Sequence, residues 1–278
     1  MDTLREARRR RPLLVLVLGV PVLILLALAG LVPGWRLFFL GGALGWLLAA
    51  ELIRRGGVGI RYQKAVRHLR AGELDRALAV MDGLIQAEPE DADCLRFRAE
   101  LRRLAGHVDA ARSDYERLVR LAPDLPDGHL GLAETWTELG EYERARECAR
   151  LAAEHDPSGW RAAHTQALIA DRLEDAPGAI THCRTALNTR IPDRRFRLLT
   201  NLWLARGHAR LGQWDEARAA VSRLRGDPRA FAEWGVILAS EWARPIRALL
   251  GEDVQLARAL AEGAVSAEAL TEPHADGR

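Results

Sequence analysis

Eight histidines and three cysteines, Cys94, Cys148 and Cys183, have the widest chemical range of any side chains in this 278-residue sequence. Such groups hold metals or act as nucleophiles when a partner stands at short, defined spacing. Here they are scattered. The sequence has no CxxC, HExxH or GxSxG, and no phosphate-cradling GxxxxGK followed by Ser or Thr. We therefore expect no catalytic constellation, no metal site and no cofactor. Packing is the expected role of the cysteines, because an isolated thiol behaves as a small apolar group.

The charges narrow the class further. Forty basic and 38 acidic residues leave a net charge of +2. A general nucleic-acid binder needs a basic footprint, so nucleic acid is not an expected partner. A content of 49% hydrophobic and 28% charged residues excludes a disordered chain. Lys64 is the one lysine, and so general a preference for arginine reads as codon bias.

The elements that would position these residues fall into two parts. Residues 1–57 read as a membrane anchor with two transmembrane helices, about 13–31 and 36–53. The uncharged run 13–31 would span roughly 28 Å as a helix, close to the hydrocarbon thickness of a bilayer. Arg8 to Arg11 flank it on one side, and Arg54, Arg55, Arg61 and Lys64 follow the second stretch. That bias places both flanks in the cytoplasm. The expected localisation is thus the inner or plasma membrane, multi-pass, with both termini cytoplasmic and the lipid bilayer as a partner. Two other readings stay open: a signal peptide cleaved after Ala27-Leu28-Ala29, and an interfacial second stretch.

The remainder repeats every 34 residues. Gly72, Ala77 and Pro89 recur as Gly106, Ala111 and Pro123, and again as Gly140, Ala145 and Pro157. The glycine can end a first helix in the left-handed conformation. The alanine lets a second helix approach closely, and the proline ends that helix. Neither helix can bury its apolar stripe alone, so the copies must stack.

This pattern resembles the tetratricopeptide repeat, in a bacterial-type protein with an N-terminal transmembrane hairpin. The resemblance implies an all-α chain in which an α-solenoid follows the hairpin. The five repeats are 58–91, 92–125, 126–159, 160–193 and 198–231. A divergent helical cap, 232–265, and a disordered tail, 266–278, follow. The fourth repeat has Glu174 where glycine is usual. A four-residue slip before the fifth reads as a longer turn near Ile191 to Arg197. His68 and His208 fall on a packing position, and Trp136, Trp203, Trp214 and Trp234 fall at or near others. In the cap, Trp234, Ile237, Leu238 and Trp242 would form an apolar face. Pro245 would break it, and Asp253 would cap a helix over 253–264.

The resemblance also implies a concave groove that binds a protein or peptide partner. Its groove positions fall on Tyr62, Arg96, Glu100, Arg103, Leu130, Glu134, Glu138, His164, Arg172, Arg206 and Arg210. This groove would be acidic in the middle and more basic towards the C-terminal end. The family's clamp for a chaperone's terminal carboxylate is missing, since Tyr62, Val66, Phe97, Asp127 and Gly131 stand at its positions. The layout also looks similar to bacterial envelope adaptors, but their paired CxxC zinc module is absent. The expected function is a non-enzymatic, membrane-anchored adaptor that binds proteins at the cytoplasmic face. The alternatives are an envelope-side assembly factor and a non-catalytic subunit of a membrane enzyme complex. Homo-oligomerisation through the groove or through Gly41 and Gly45 stays open.

Overall fold

The computed structural model describes residues 61–271, together with Leu23, Ile24 and Ala27. The chain divides into two compact units, Met1–Ala71 and Gly72–Arg278. In the first, residues 61–70 are helical (α1). The second is all α-helix apart from turns and two short 3-10 segments. Its helices are α2 (Leu74–Ala87), α3 (Ala92–Leu104), α4 (Val108–Leu121), α5 (Pro126–Glu138), α6 (Tyr142–His155) and α7 (Trp160–Arg172). They continue as α8 (Ala176–Asn188), α9 (Arg194–Arg210), α10 (Trp214–Leu224), α11 (Pro228–Ala239) and α12 (Arg244–Glu262).

From α2 to α10 each helix packs on the next, and each first helix also packs on the following first helix: α3 on α5, α5 on α7, α7 on α9. The first helices therefore line up on one inner face. The repeat alanines fit this closeness: Ala77, Ala111, Ala145, Ala179 and Ala217 are all fully buried. Gly131 makes the tightest approach. The Tyr115 ring lies against its bare backbone, and a Cβ there would fall 2.1 Å from the ring. Trp136 sits between two guanidinium groups, Arg112 at 5.0 Å and Arg144 at 4.8 Å from the ring centre.

The turn after each first helix follows one backbone rule. At Gly140 (φ +75°) the chain turns left-handed. The Gly140 N–H donates to Thr137 O at 3.1 Å, and the Glu141 N–H donates to Trp136 O at 2.9 Å. This is the paired closure of a Schellman cap. The fourth repeat makes the same closure with Glu174 at φ 57°. There the Glu174 N–H donates to Asp171 O and the Asp175 N–H to Ala170 O. A side chain is held where glycine is favoured.

Four expectations change. First, the four-residue slip is not in a turn. α9 starts on register at Arg194 but runs for 17 residues, where α3, α5 and α7 have 13. The insertion is one extra helical turn, which leaves the buried face in phase. Second, α12 begins at Arg244 rather than near 253. Pro245 stands in its first turn, where no N–H is needed. Asp253 is therefore mid-helix and caps nothing. Third, the tail is partly ordered: Ala267–Thr271 form a 3-10 helix, and Leu270 is fully buried.

The fourth change concerns the membrane. The expected spans, 13–31 and 36–53, lie outside the described residues apart from Leu23, Ile24 and Ala27. Among the described residues, no helix is long and apolar enough to cross a membrane. This finding overturns the expected multi-pass, inner-membrane localisation with cytoplasmic repeats. The physical reason is length and charge: the helices of the second unit other than α12 have 17 residues or fewer, short of the roughly 20 that a span needs. Even α12, with 19 residues, carries Arg244, Arg247, Glu252, Asp253, Arg258 and Glu262.

Two substitutions test the turn rule by thermal denaturation. Gly140→Ala meets no atom within 4 Å, so its cost is conformational and should be about 1 kcal/mol. Glu174→Gly should raise stability by about 0.5–1 kcal/mol, because it relieves the same strain.

Candidate functional site

The inner face carries two charged clusters, and they differ in what remains open. The first centres on Arg103 of α3. Its Nε and Nη2 donate to Glu138 Oε1 at 3.1 and 2.7 Å. Its Nη1 donates to Glu134 Oε2. Arg161 of α7 donates to Glu134 Oε1 at 3.2 Å. Arg96 lies 3.2 Å from Glu100 on the same helix. Burial alone would raise the Glu134 carboxyl, but Arg103 and Arg161 outweigh it and hold Glu134 below the usual range. Burial pushes the Glu100 carboxyl up, and its arginine neighbours only partly offset that.

The second cluster lies under α12. Asp171 and Asp253 are fully buried, and Arg206 bridges them. Arg172 Nη2 donates to Asp253 Oδ2 at 2.7 Å and to Leu249 O at 2.9 Å. Trp203 Nε1 donates to the same Oδ2 at 2.8 Å. Arg210 Nη1 donates to Asp171 O at 3.0 Å. Burial would raise the Asp253 carboxyl, but Arg206, Arg172 and the indole hold it well below the usual carboxylate range. α12 thus lies across the C-terminal end of the inner face.

Between the clusters is a cavity of about 210 Å³. Its lining combines the charged Arg103, Glu134, Glu138 and Arg161 with the apolar Trp160, Phe196 and Trp234 and the α12 residues Ile246, Leu249 and Leu250. His164 closes the floor. Its Nδ1 is 2.9 Å from Thr200 Oγ1. Its ring contacts Trp160, Phe196 and Trp203 with centres 6.1, 5.0 and 4.9 Å away. Burial depresses His164 to about 4, which leaves it neutral near pH 7.

Of the expected groove residues, Arg103, Glu134, Glu138 and His164 meet at this cavity. Arg96 and Glu100 stand beside the first cluster. Leu130 is instead buried against Ala152 and Ala162. Arg172, Arg206 and Arg210 belong to the second cluster, engaged by the chain's own aspartates. Tyr62 lies in the other unit. Arg161 and Leu168 also line the cavity and occupy groove positions 2 and 9 of repeat 160–193, so the register could have named them. Nothing in the register points to Ile246, Leu249 or Leu250, because α12 has no repeat to align with.

The thiols pack. Cys94 and Cys183 are buried. Burial pushes Cys94 up to about 12 and Cys183 and Cys148 upward as well. His208 is buried with Nδ1 2.6 Å from Gln213 Oε1. Among the described residues, no group of three or more His, Cys, Asp or Glu could hold a metal ion.

Models of the tetratricopeptide repeat match residues 62–126 and 102–170. The chain carries tetratricopeptide repeats. A curated relative is the "Tetratricopeptide repeat and J domain-containing co-chaperone DNJ1" of Fusarium oxysporum f. sp. lycopersici. It is 27% identical over 131 residues, 45% of this chain and 25% of its own length. The chain thus spans about a quarter of that relative. Among solved structures, TTC0263, a thermophilic TPR protein of Thermus thermophilus, matches with a TM-score of 0.53 and 19% identity. The match covers 68% of this chain and 98% of that one. MamA from Desulfovibrio magneticus RS-1, from residue 41 to its end, matches with a TM-score of 0.53 and 16% identity, over 60% and 92% of the two chains. Both likenesses establish the fold and nothing finer.

The buried charges generate two predictions. Asp253→Asn leaves Arg206 and Arg172 to share Asp171 alone and should cost about 3 kcal/mol or more in urea denaturation at pH 7. Because Asp253 is depressed below 3.8 in the fold, the gap to wild type should shrink only below about pH 4. For His164 the window is higher. An unfolded histidine takes its proton near 6.5, the folded one near 4, so stability falls as pH drops through that interval. The loss should approach about 3 kcal/mol, and His164→Gln should flatten it in the same titration.

Proposed function

We propose that the chain is a non-catalytic protein-binding module whose open inner face, between α3, α5, α7 and α12, takes a segment of a partner protein. The observation that carries this reading is the cavity. It combines an apolar, aromatic wall with a few convergent charged groups, which is the usual make-up of a recognition pocket. Repeat stacks present their inner face to partners for the same geometric reason, since stacking leaves it concave and continuous. The likeness to a co-chaperone with the same repeats favours protein over other ligands. We take the repeats as 58–91, 92–125, 126–159 and 160–193, with a fifth that opens at the start of α9 rather than at 198 and ends near 231, and with the later helices closing the stack. The binding residues are then Arg103, Glu134, Glu138, Arg161 and His164, flanked by Arg96 and Glu100. Arg172, Arg206 and Arg210 are structural.

Site-specific photocrosslinking in the producing cells tests this. Benzoylphenylalanine at Arg161, which stands half-exposed beside the cavity, should give a discrete adduct. The same group at Arg146 on α6 should not. Leu249→Trp, which fills the cavity, should remove the adduct without lowering the melting temperature. Equal adducts from both positions, or none from Arg161, would defeat the reading.

A further inference from the structure

The Glu138 carboxylate is incomplete. Its side chain is 7% exposed. Oε1 accepts twice from Arg103. Oε2 is buried and has no hydrogen-bond partner among the described residues. A buried carboxylate oxygen without a donor is costly, and charged groups cost most. Glu138 belongs to the cavity wall, so a donor that enters the cavity can meet this need. The terminal torsion of a glutamate is broad, so a modest rotation turns Oε2 towards the cavity.

The charge around it selects the donor. Glu100, Glu134, Glu138 and Asp127 stand against Arg96, Arg103 and Arg161. Carboxylates exceed guanidinium groups by one, and Arg103 already directs Nε, Nη1 and Nη2 at Glu134 and Glu138. An incoming carboxylate would face two glutamates and an Arg103 whose three nitrogens already bond to them. An incoming cation would complete the set. The apolar part of the lining, with Trp160, Phe196, Trp234, Ile246 and Leu249, suits a bulky apolar group and offers ring faces that attract cations.

We infer that the cavity recognises a partner segment in which a lysine or arginine stands beside a bulky apolar residue, the cation on Glu138 and the apolar group against the α12 wall. This assignment rests on the protein-binding reading of the same cavity. It commits to a basic peptide and not to a terminal carboxylate or to a second copy of the chain.

The test is a positional-scanning array of acetylated, amidated heptapeptides probed with the full chain. Wild type should select Lys or Arg next to Phe, Trp, Leu or Ile, by about tenfold or more over the same peptides carrying Glu. Glu138→Gln keeps the side-chain shape and should abolish that preference, while the exposed Arg150→Gln should leave it intact. The wild-type selection decides the case even where Glu138→Gln melts early. Selection of acidic or uncharged peptides that Leu249→Trp abolishes would overturn the basic assignment yet keep the protein-binding reading. An array without bound peptide would also overturn the assignment, and the Arg161 crosslink would then report on the broader reading alone. A Glu138-dependent dimer in light scattering would give the cavity to a second copy and overturn it too.

Discussion

The structure depends on one buried carboxylate. Asp253 draws Arg172 from α7 and Trp203 and Arg206 from α9 onto the middle of α12. Arg206 is buried and Arg172 nearly so, so removing the carboxylate would leave two guanidinium groups with Asp171 alone in a medium that solvates charge poorly. Apolar packing adds to the hold: Val254, Ala257 and Leu260 of the same helix are buried in one cluster with Trp203 and Leu202. The ion lattice fixes where along the inner face the helix sits, because directional bonds tolerate less slippage than apolar contact. The position of α12 then decides where the open part of that face begins.

The extra turn of α9 belongs to the same device. A first helix of 13 residues would end one turn earlier. The added turn carries the helix to Arg210, whose Nη1 reaches Asp171 O. Four added residues rotate a helix by little more than a full turn, so the apolar stripe stays in register. The slip in sequence thus adds charged contacts while the stack keeps its packing.

Sequence reading was strong wherever a local rule governs. The glycines at 72, 106, 140 and 212 all adopt positive φ, and the repeat alanines are all buried. A 34-residue period shows these because each copy faces the same steric demand. Glu174 marks the limit of the rule: the turn is imposed by its neighbours even where the favoured residue is missing. The period could not show the role of Asp253, because its partners lie 47 to 81 positions away. Nor could it show that α12 lies on the inner face, since no repeat predicts that contact. The expected membrane hairpin fell outside the described residues, and no described helix is long and apolar enough to stand in for it.

The electrostatic character of the inner face follows from this self-occupancy. Along the register alone, the face grows more basic towards its C-terminal end, because Arg172, Arg206 and Arg210 lie there. In the fold those arginines are matched against Asp171 and Asp253 and covered by α12. Two of the three positive charges are offset in place by the two aspartates. What remains open is the middle, where Glu134 and Glu138 share Arg103 and one carboxylate oxygen still lacks a donor. The sign of the open part is therefore opposite to the sign suggested by the arginines at that end. A helix that closes one part of a groove thus decides the charge of the part it leaves open.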